Sequence, residues 1–350
     1  MNTAAAWQID SPRGLASRRP VWTGALARLA VGLGLLAAVA AVAVPQDLLS
    51  GLGEIDPAWV GPTFFLYAAS LLLRGVRWWF LMRSLGAGAH WLDVSCISTL
   101  GWSLNNLLPL RLGDAVRPCL LSVRTGLSLP SVLPSLVAER LLDVSLLTGV
   151  LAAGLLVTPA GAGALTAVSL PFGKPGLWIA LAAGAGCAAV ALRHCGSSLW
   201  KGHLGSVFAH WKTVTGAGRA LMCPGALSGA LGLTLAGWAL QAAQYYVWFR
   251  AFDVAPPVDA FALGFAAFML SFAINIIPGQ LGSYELLFVG AFSAVQVADP
   301  PQLVVVALAA HVSNMLFLSI LGLLSYAQLG FRGEAWGQVR RAMALRAQEA

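Results

Sequence analysis

The sequence predicts an all-α polytopic membrane protein with about six full spans and two re-entrant helical hairpins, arranged as an inverted-topology repeat. Three observations predict it. Of 350 residues, 58% are hydrophobic, only 10% are charged and a further 38 are Gly, so about two thirds of the chain is apolar or Gly, against near half in a soluble domain. Apolar runs of spanning length recur along the chain. The chain also matches itself when shifted by 169 positions.

Charge and cysteine usage narrow the class further. Lys plus Arg total 21 against 14 acids, a net charge of +7, and the only Lys residues are Lys174, Lys201 and Lys212. Thinly spread bases of this kind set membrane orientation and do not build a nucleic-acid surface. Cys96, Cys119, Cys187, Cys195 and Cys223 are odd in number and show no Cys-x-x-Cys spacing, so neither a disulfide framework nor a metal site is expected. No cofactor is expected, because the sequence lacks a phosphate-binding Gly loop, a nucleophile elbow and an Asp-x-Asp nucleotide-sugar motif.

In order along the chain, an Arg-bearing tail over 1–24 precedes a first membrane helix at 25–44. The tail is long for a secretory leader, so this helix reads as an uncleaved anchor; Ala41-Val42-Ala43 keeps signal-peptidase cleavage as the alternative. A first unit over 58–157 consists of a helix, a broken apolar region at 91–128 and a second helix. A linking helix at 176–192 follows, then a loop at 193–223 with four bases, no acid and aromatic residues at helical spacing, the pattern of a helix lying on anionic lipid. A second unit over 227–326, with its broken region at 261–297, precedes a basic tail at 328–350.

Lys and Arg fall mainly in the N-terminal tail, the 81–90 and 193–223 loops and the C-terminal tail, twelve in all. The opposite segments hold only Lys174 and Arg250. By the positive-inside rule both termini are cytoplasmic, in a bacterial inner membrane, and the count closes only if each broken region enters and leaves on one side.

The 169-residue shift lays Asn106-Leu107-Leu108-Pro109-Leu110-Arg111-Leu112-Gly113 on Asn275-Ile276-Ile277-Pro278-Gly279-Gln280-Leu281-Gly282. Pro109, Gly113, Pro278, Gly279 and Gly282 read as hinges. With the orientation above, the two units face opposite ways. Interrupted segments at matching positions of an inverted repeat are the sequence sign of a transporter, and both tips are expected to meet at a polar cavity.

The candidate site residues are charges in apolar surroundings, which usually face a partner or a pathway. Arg74 and Arg77 either snorkel to the headgroups or line the site. Arg111, with Asp114 three residues on, suits a phosphate, which a guanidinium can grip at two oxygens. Glu139 and Asp143 stack one turn apart beside Arg140, and need cations from Arg111, Arg117 or Arg140. That network is either structural glue or a proton-sensitive gate. In the second unit Gln280, Ser283, Glu285, His311 and Asn314 are the counterparts, His311 being either an interhelical hydrogen bonder or a proton relay.

Asn105-Asn106-Leu107-Leu108-Pro109 with Arg111, Gly113-Asp114 and Arg117, then Glu139-Arg140-Leu141-Leu142-Asp143, then Pro278-Gly279-Gln280-Leu281-Gly282-Ser283-Tyr284-Glu285, resemble the lysylphosphatidylglycerol synthase transmembrane region family. The resemblance covers most of 25–327. It implies translocation of an aminoacylated, glycosylated or polyprenyl-linked lipid between leaflets, a non-enzymatic activity, with a separate glycosyl- or aminoacyltransferase as possible partner. Two departures stand out: no soluble aminoacyltransferase domain is expected within the 350 residues, and Gln280 stands where many relatives carry Gly or an aromatic. An intramembrane enzyme using Glu139, Asp143 or His311, and a scaffold for a transferase, remain the alternatives.

Overall fold

The computed structural model describes residues 53, 55–107, 112–167, 224–271, 280 and 282–330. The anchor at 25–44, the linking helix at 176–192, the 193–223 loop and the tail beyond Gly330 lie outside the described residues. So do Pro109, Arg111, Asn275, Pro278 and Gly279.

The described residues form helices and connecting turns. A 3-10 turn at Pro57–Trp59, capped by the Asp56 carboxylate accepting from Ala58 N at 2.9 Å, feeds α1 (Val60–Ser84). Then follow α2 (Trp91–Leu107), α3 (Leu112–Thr125), α4 (Leu129–Val157) and α5 (Pro159–Ala167). After the undescribed stretch come α6 (Pro224–Ala251), α7 (Val258–Ser271), α8 (Ser283–Ala294) and α9 (Pro300–Leu329). Local signals set these ends. Pro130 and Pro300 sit in the first turns of α4 and α9, where no N–H is needed, and Gly330 closes α9 in the left-handed region at φ 57°.

Among the described residues four helices are long and apolar enough to cross a bilayer, at Pro57–Ser84, Leu129–Val157, Gly225–Ala251 and Pro300–Leu329. They are the outer helices of the two units read from the sequence. Between them lie the shorter pairs α2–α3 and α7–α8, and the self-matching segments fall at the breaks within these pairs.

The two halves are interlocked. Arg77 meets Thr234, Ser70 meets Gln241, and Asp56 N donates to Ala251 O. Positions rise on α1 as they fall on α6, so these corresponding helices run antiparallel. Each closing helix leans on the other half's split pair, α4 on α7 and α9 on α2. Glycine allows both approaches: a Cβ at Gly154 would stand 2.6 Å from Leu263, and one at Gly322 would stand 2.3 Å from Ser103. One core gathers Trp78, Met82, Ile97 and Leu120 and is completed by Leu329 of α9. The other gathers Phe249, Phe268, Phe288 and Phe292 and is completed by Leu147 of α4.

Gly113 permits close packing within the first split pair. It is the second residue of α3, and a Cβ there would lie 1.8 Å from the Gly101 carbonyl oxygen on α2. Gly113→Ala therefore forces the α2 and α3 backbones away from each other, and is expected to cost about 1 to 3 kcal/mol. Gly149→Ala, with nothing within 4 Å of the added carbon, should be neutral. Thermal melts of the detergent-solubilised variants test this; equal melting temperatures would refute the tight crossing.

Candidate functional site: a charged cavity between the two halves

A cavity of about 610 Å³ opens where the two halves meet, lined from α1, α2, α3, α4, α6, α7, α9 and the start of α8. From the first half Arg74, Asn105, Asn106, Asp114, Arg140 and Asp143 reach its wall; from the second, Gln280, His311 and Asn314. Behind the wall stand Arg77, Arg117, Glu139, Ser283 and Glu285, all buried. Ser283 Oγ donates to the Gln280 carbonyl at 2.9 Å and secures the first turn of α8.

Two hinge glycines play different roles. Gly282 caps α8 at φ 71°, a region an L side chain rarely adopts, whereas Gly113 serves the crossing described above. Gln280 is itself left-handed, at φ 57°. A Gly at this position has a local conformational reason, and the Gln side chain carries a backbone cost of about 1 kcal/mol.

Arg74 and Arg77, three residues apart on α1, have opposite surroundings. Arg77 turns inward, where its partners lie. Arg77 is 2% exposed. Its Nη1 donates to Asp143 Oδ1 at 2.6 Å and Thr234 Oγ1 at 3.0 Å, and its Nη2 to Asp143 Oδ2 at 3.1 Å and Glu139 Oε1 at 3.3 Å. Arg117, whose guanidinium carbon lies 4.5 Å from the Trp78 ring and 5.0 Å from the Trp102 ring, donates to the other Glu139 oxygen at 3.0 Å. The carboxylates of α4 thus draw on Arg77 and Arg117. Arg140 instead approaches Asp114 at 3.7 Å, while Asn105 donates to the same carboxylate at 3.0 Å and accepts from Asp114 N at 3.2 Å.

Arg74 has no such carboxylate contact. Its guanidinium lies over Trp238 at 4.1 Å, and Trp238 in turn donates to Asp143 at 2.8 Å. Arg74 Nε and Nη2 are buried and find no hydrogen-bond partner among the described residues. A desolvated cation with unfilled donors at a cavity wall is poised for an anion.

The second half supplies a different pair. His311 Nδ1 lies 2.7 Å from Glu285 Oε1, with both side chains almost fully buried. The His311 ring stacks on Tyr284 at 4.1 Å, and Tyr284 and Tyr245 share a hydrogen bond of 2.9 Å between their hydroxyls. A second polar chain crosses the interface: Ser70 donates to Gln241 at 3.2 Å, Gln241 to Gln244, and Gln244 to Asn314 at 2.7 Å. Sequence reasoning missed Gln241, Gln244, Trp238 and Tyr245. Gln241 and Gln244, one turn apart in an otherwise apolar helix, carried a readable signal. No group of three or more potential metal ligands occurs among the described residues.

The family described as the lysylphosphatidylglycerol synthase TM region matches residues 25–322. A glycosyltransferase of Haloferax volcanii, AglD, is 33% identical over 144 residues, which is 39% of this chain and 23% of AglD. The chain therefore matches under a quarter of that relative's length.

Proposed function

Since the chain belongs to the lysylphosphatidylglycerol synthase transmembrane region family, we propose that it is a flippase-like transporter moving an anionic lipid between membrane leaflets. The observation that carries this reading is Arg74, a cation with unfilled donors on the wall of a cavity shared by both halves. A phosphate-bearing headgroup satisfies those donors, while Asn105, Asn106, Arg140, Gln280 and Asn314 offer it further polar contacts and its tails stay in lipid. Asp114 and Asp143 would meet any cationic substituent on the headgroup. Arg77, Arg117 and Glu139 act as the fixed frame behind the wall and not as ligands.

The architecture supports alternating access. The antiparallel α1 and α6, the exchanged packing of α4 and α9, and the charge pairs linking each split pair to its closing helix, Arg117–Glu139 and Glu285–His311, support an inverted repeat with two re-entrant hairpins. Two oppositely facing copies can exchange conformations and open one site to each side. The skew of Lys and Arg supports a bacterial inner membrane with both termini cytoplasmic. The partial likeness to a glycosyltransferase supports a separate sugar- or aminoacyl-transferring enzyme as a partner.

The test is leaflet exchange of acyl-labelled phosphatidylglycerol in liposomes containing the purified protein, read by chemical quenching of the outer leaflet. Exchange faster than in protein-free vesicles is expected. No acceleration would count against transport, and a new lipid product by mass spectrometry would favour an enzyme.

A further inference from the structure

The pose of Arg74 is not the one its charge alone would choose. A guanidinium on a long flexible stem, buried near a carboxylate, gains most by pairing with it. Asp143 is near enough to act on Arg74 electrostatically. Arg74 nevertheless lies over the Trp238 ring at 4.1 Å, with Nε and Nη2 buried and without a hydrogen-bond partner among the described residues.

Three contacts set this pose. The Trp238 N–H donates to Asp143 Oδ1 at 2.8 Å. The same oxygen already takes Arg77 Nη1 at 2.6 Å, so its two lone pairs are both used. Phe265 of α7 meets the indole at a steep angle, with ring centroids 6.1 Å apart. Beside the indole, Gly237 leaves the α6 backbone bare under the Arg74 stem, where a Cβ would lie 3.6 Å from Arg74 Cγ. Arg74 thus rests on α6 along both its stem and its head.

We propose that Trp238 is the positioning residue of the anion site. Its N–H fills the lone pair of Asp143 that would otherwise capture Arg74, and its face holds the guanidinium with donors left for a headgroup phosphate. The inference rests on the transport reading above and adds to it the device that keeps the cation available. An arginine paired with Asp143 would have spent its donors before the anion arrived. One stacked on an indole keeps them, because the ring attracts the cation through its quadrupole without taking up its N–H groups. Holding a long side chain in its binding pose beforehand also removes much of the ordering cost from the binding step. Trp238 acts through Arg74 and needs no contact with the lipid.

Calorimetric titration of the full-length, detergent-solubilised protein with dihexanoyl phosphatidylglycerol tests this, with melting temperatures measured alongside. Trp238→Phe keeps a ring under Arg74 and frees Asp143 Oδ1, so Arg74 swings onto the carboxylate. Affinity should fall at least about tenfold, the loss of one charge-assisted hydrogen bond, while the melting temperature holds. Adding Asp143→Asn, which keeps an acceptor for Arg77 and removes the competing charge, should restore most of the affinity. A role in packing alone predicts no such rescue. Wild-type affinity in Trp238→Phe, or a loss that a folded double variant does not reverse, overturns the positioning role and leaves the transport reading standing. Absence of binding by the wild type overturns both. Should the double variant not fold, the split between affinity and melting temperature in the single variant decides. If Trp238→Phe itself does not fold, Trp238→Leu takes its place under the same criteria; if neither folds, the ring is a packing element and the proposal falls.

Discussion

Glu139→Ala is expected to abolish recovery of folded protein. The carboxylate is almost fully buried and takes Arg77 on one oxygen and Arg117 on the other. Removing it leaves two guanidinium groups beside a methyl, Arg117 with no carboxylate among the described residues and Arg77 dependent on Asp143. Breaking a buried pair from one side costs about 3 to 5 kcal/mol, a large fraction of ordinary stability. Glu139→Gln, which keeps an acceptor and the volume, should lose less. Size-exclusion profiles and melting temperatures of the solubilised protein are the readout, and an alanine variant that melts with the wild type would show that the network bears no structural weight.

Arg74→Met is expected to act the other way, leaving the fold intact and removing transport. Arg74 makes no ion pair within the salt-bridge distance among the described residues, and two of its nitrogens are buried without partners, so an apolar side chain of similar length relieves a desolvation penalty. It loses the contact over Trp238, about 1 kcal/mol. A charge-assisted hydrogen bond is worth about 1.5 to 3 kcal/mol, so losing even one from a bound headgroup slows exchange by at least about tenfold. Melting temperature should hold or rise. The comparison with Arg77→Met is decisive, because that variant removes the ion pair of Asp143, leaves Glu139 with Arg117 alone, and should fail on stability first. If both variants keep wild-type exchange rates, the cavity is not the path of the headgroup.

Much of the helical plan can be read from the sequence because spanning helices must be apolar over a fixed length, and Pro130, Pro300 and Gly330 mark their ends. The breaks are readable because Asn, Pro and Gly recur in register. Side-chain partnership is harder to read. Arg74 and Arg77 are one residue type three positions apart in one apolar helix, and nothing local distinguishes them. Their fates are set by α4 and α6, more than sixty positions away, which offer carboxylates to one and the face of Trp238 to the other. Arg140 sits next to Glu139 in sequence yet points to Asp114, since neighbours on a helix face different ways. Tyr245 went unnoticed for a related reason: a single hydroxyl in an apolar helix shows its worth only once Tyr284 is seen opposite it.

The placement of Leu329 in the first core and Leu147 in the second bears on how the chain is made. As synthesis proceeds, the opening half is inserted before the residue that seals it exists, so Trp78, Ile97 and Leu120 lack that contact until Leu329 has been made. Stable assembly is therefore a late event. Severing the polypeptide between the halves should yield two fragments that persist only when produced together.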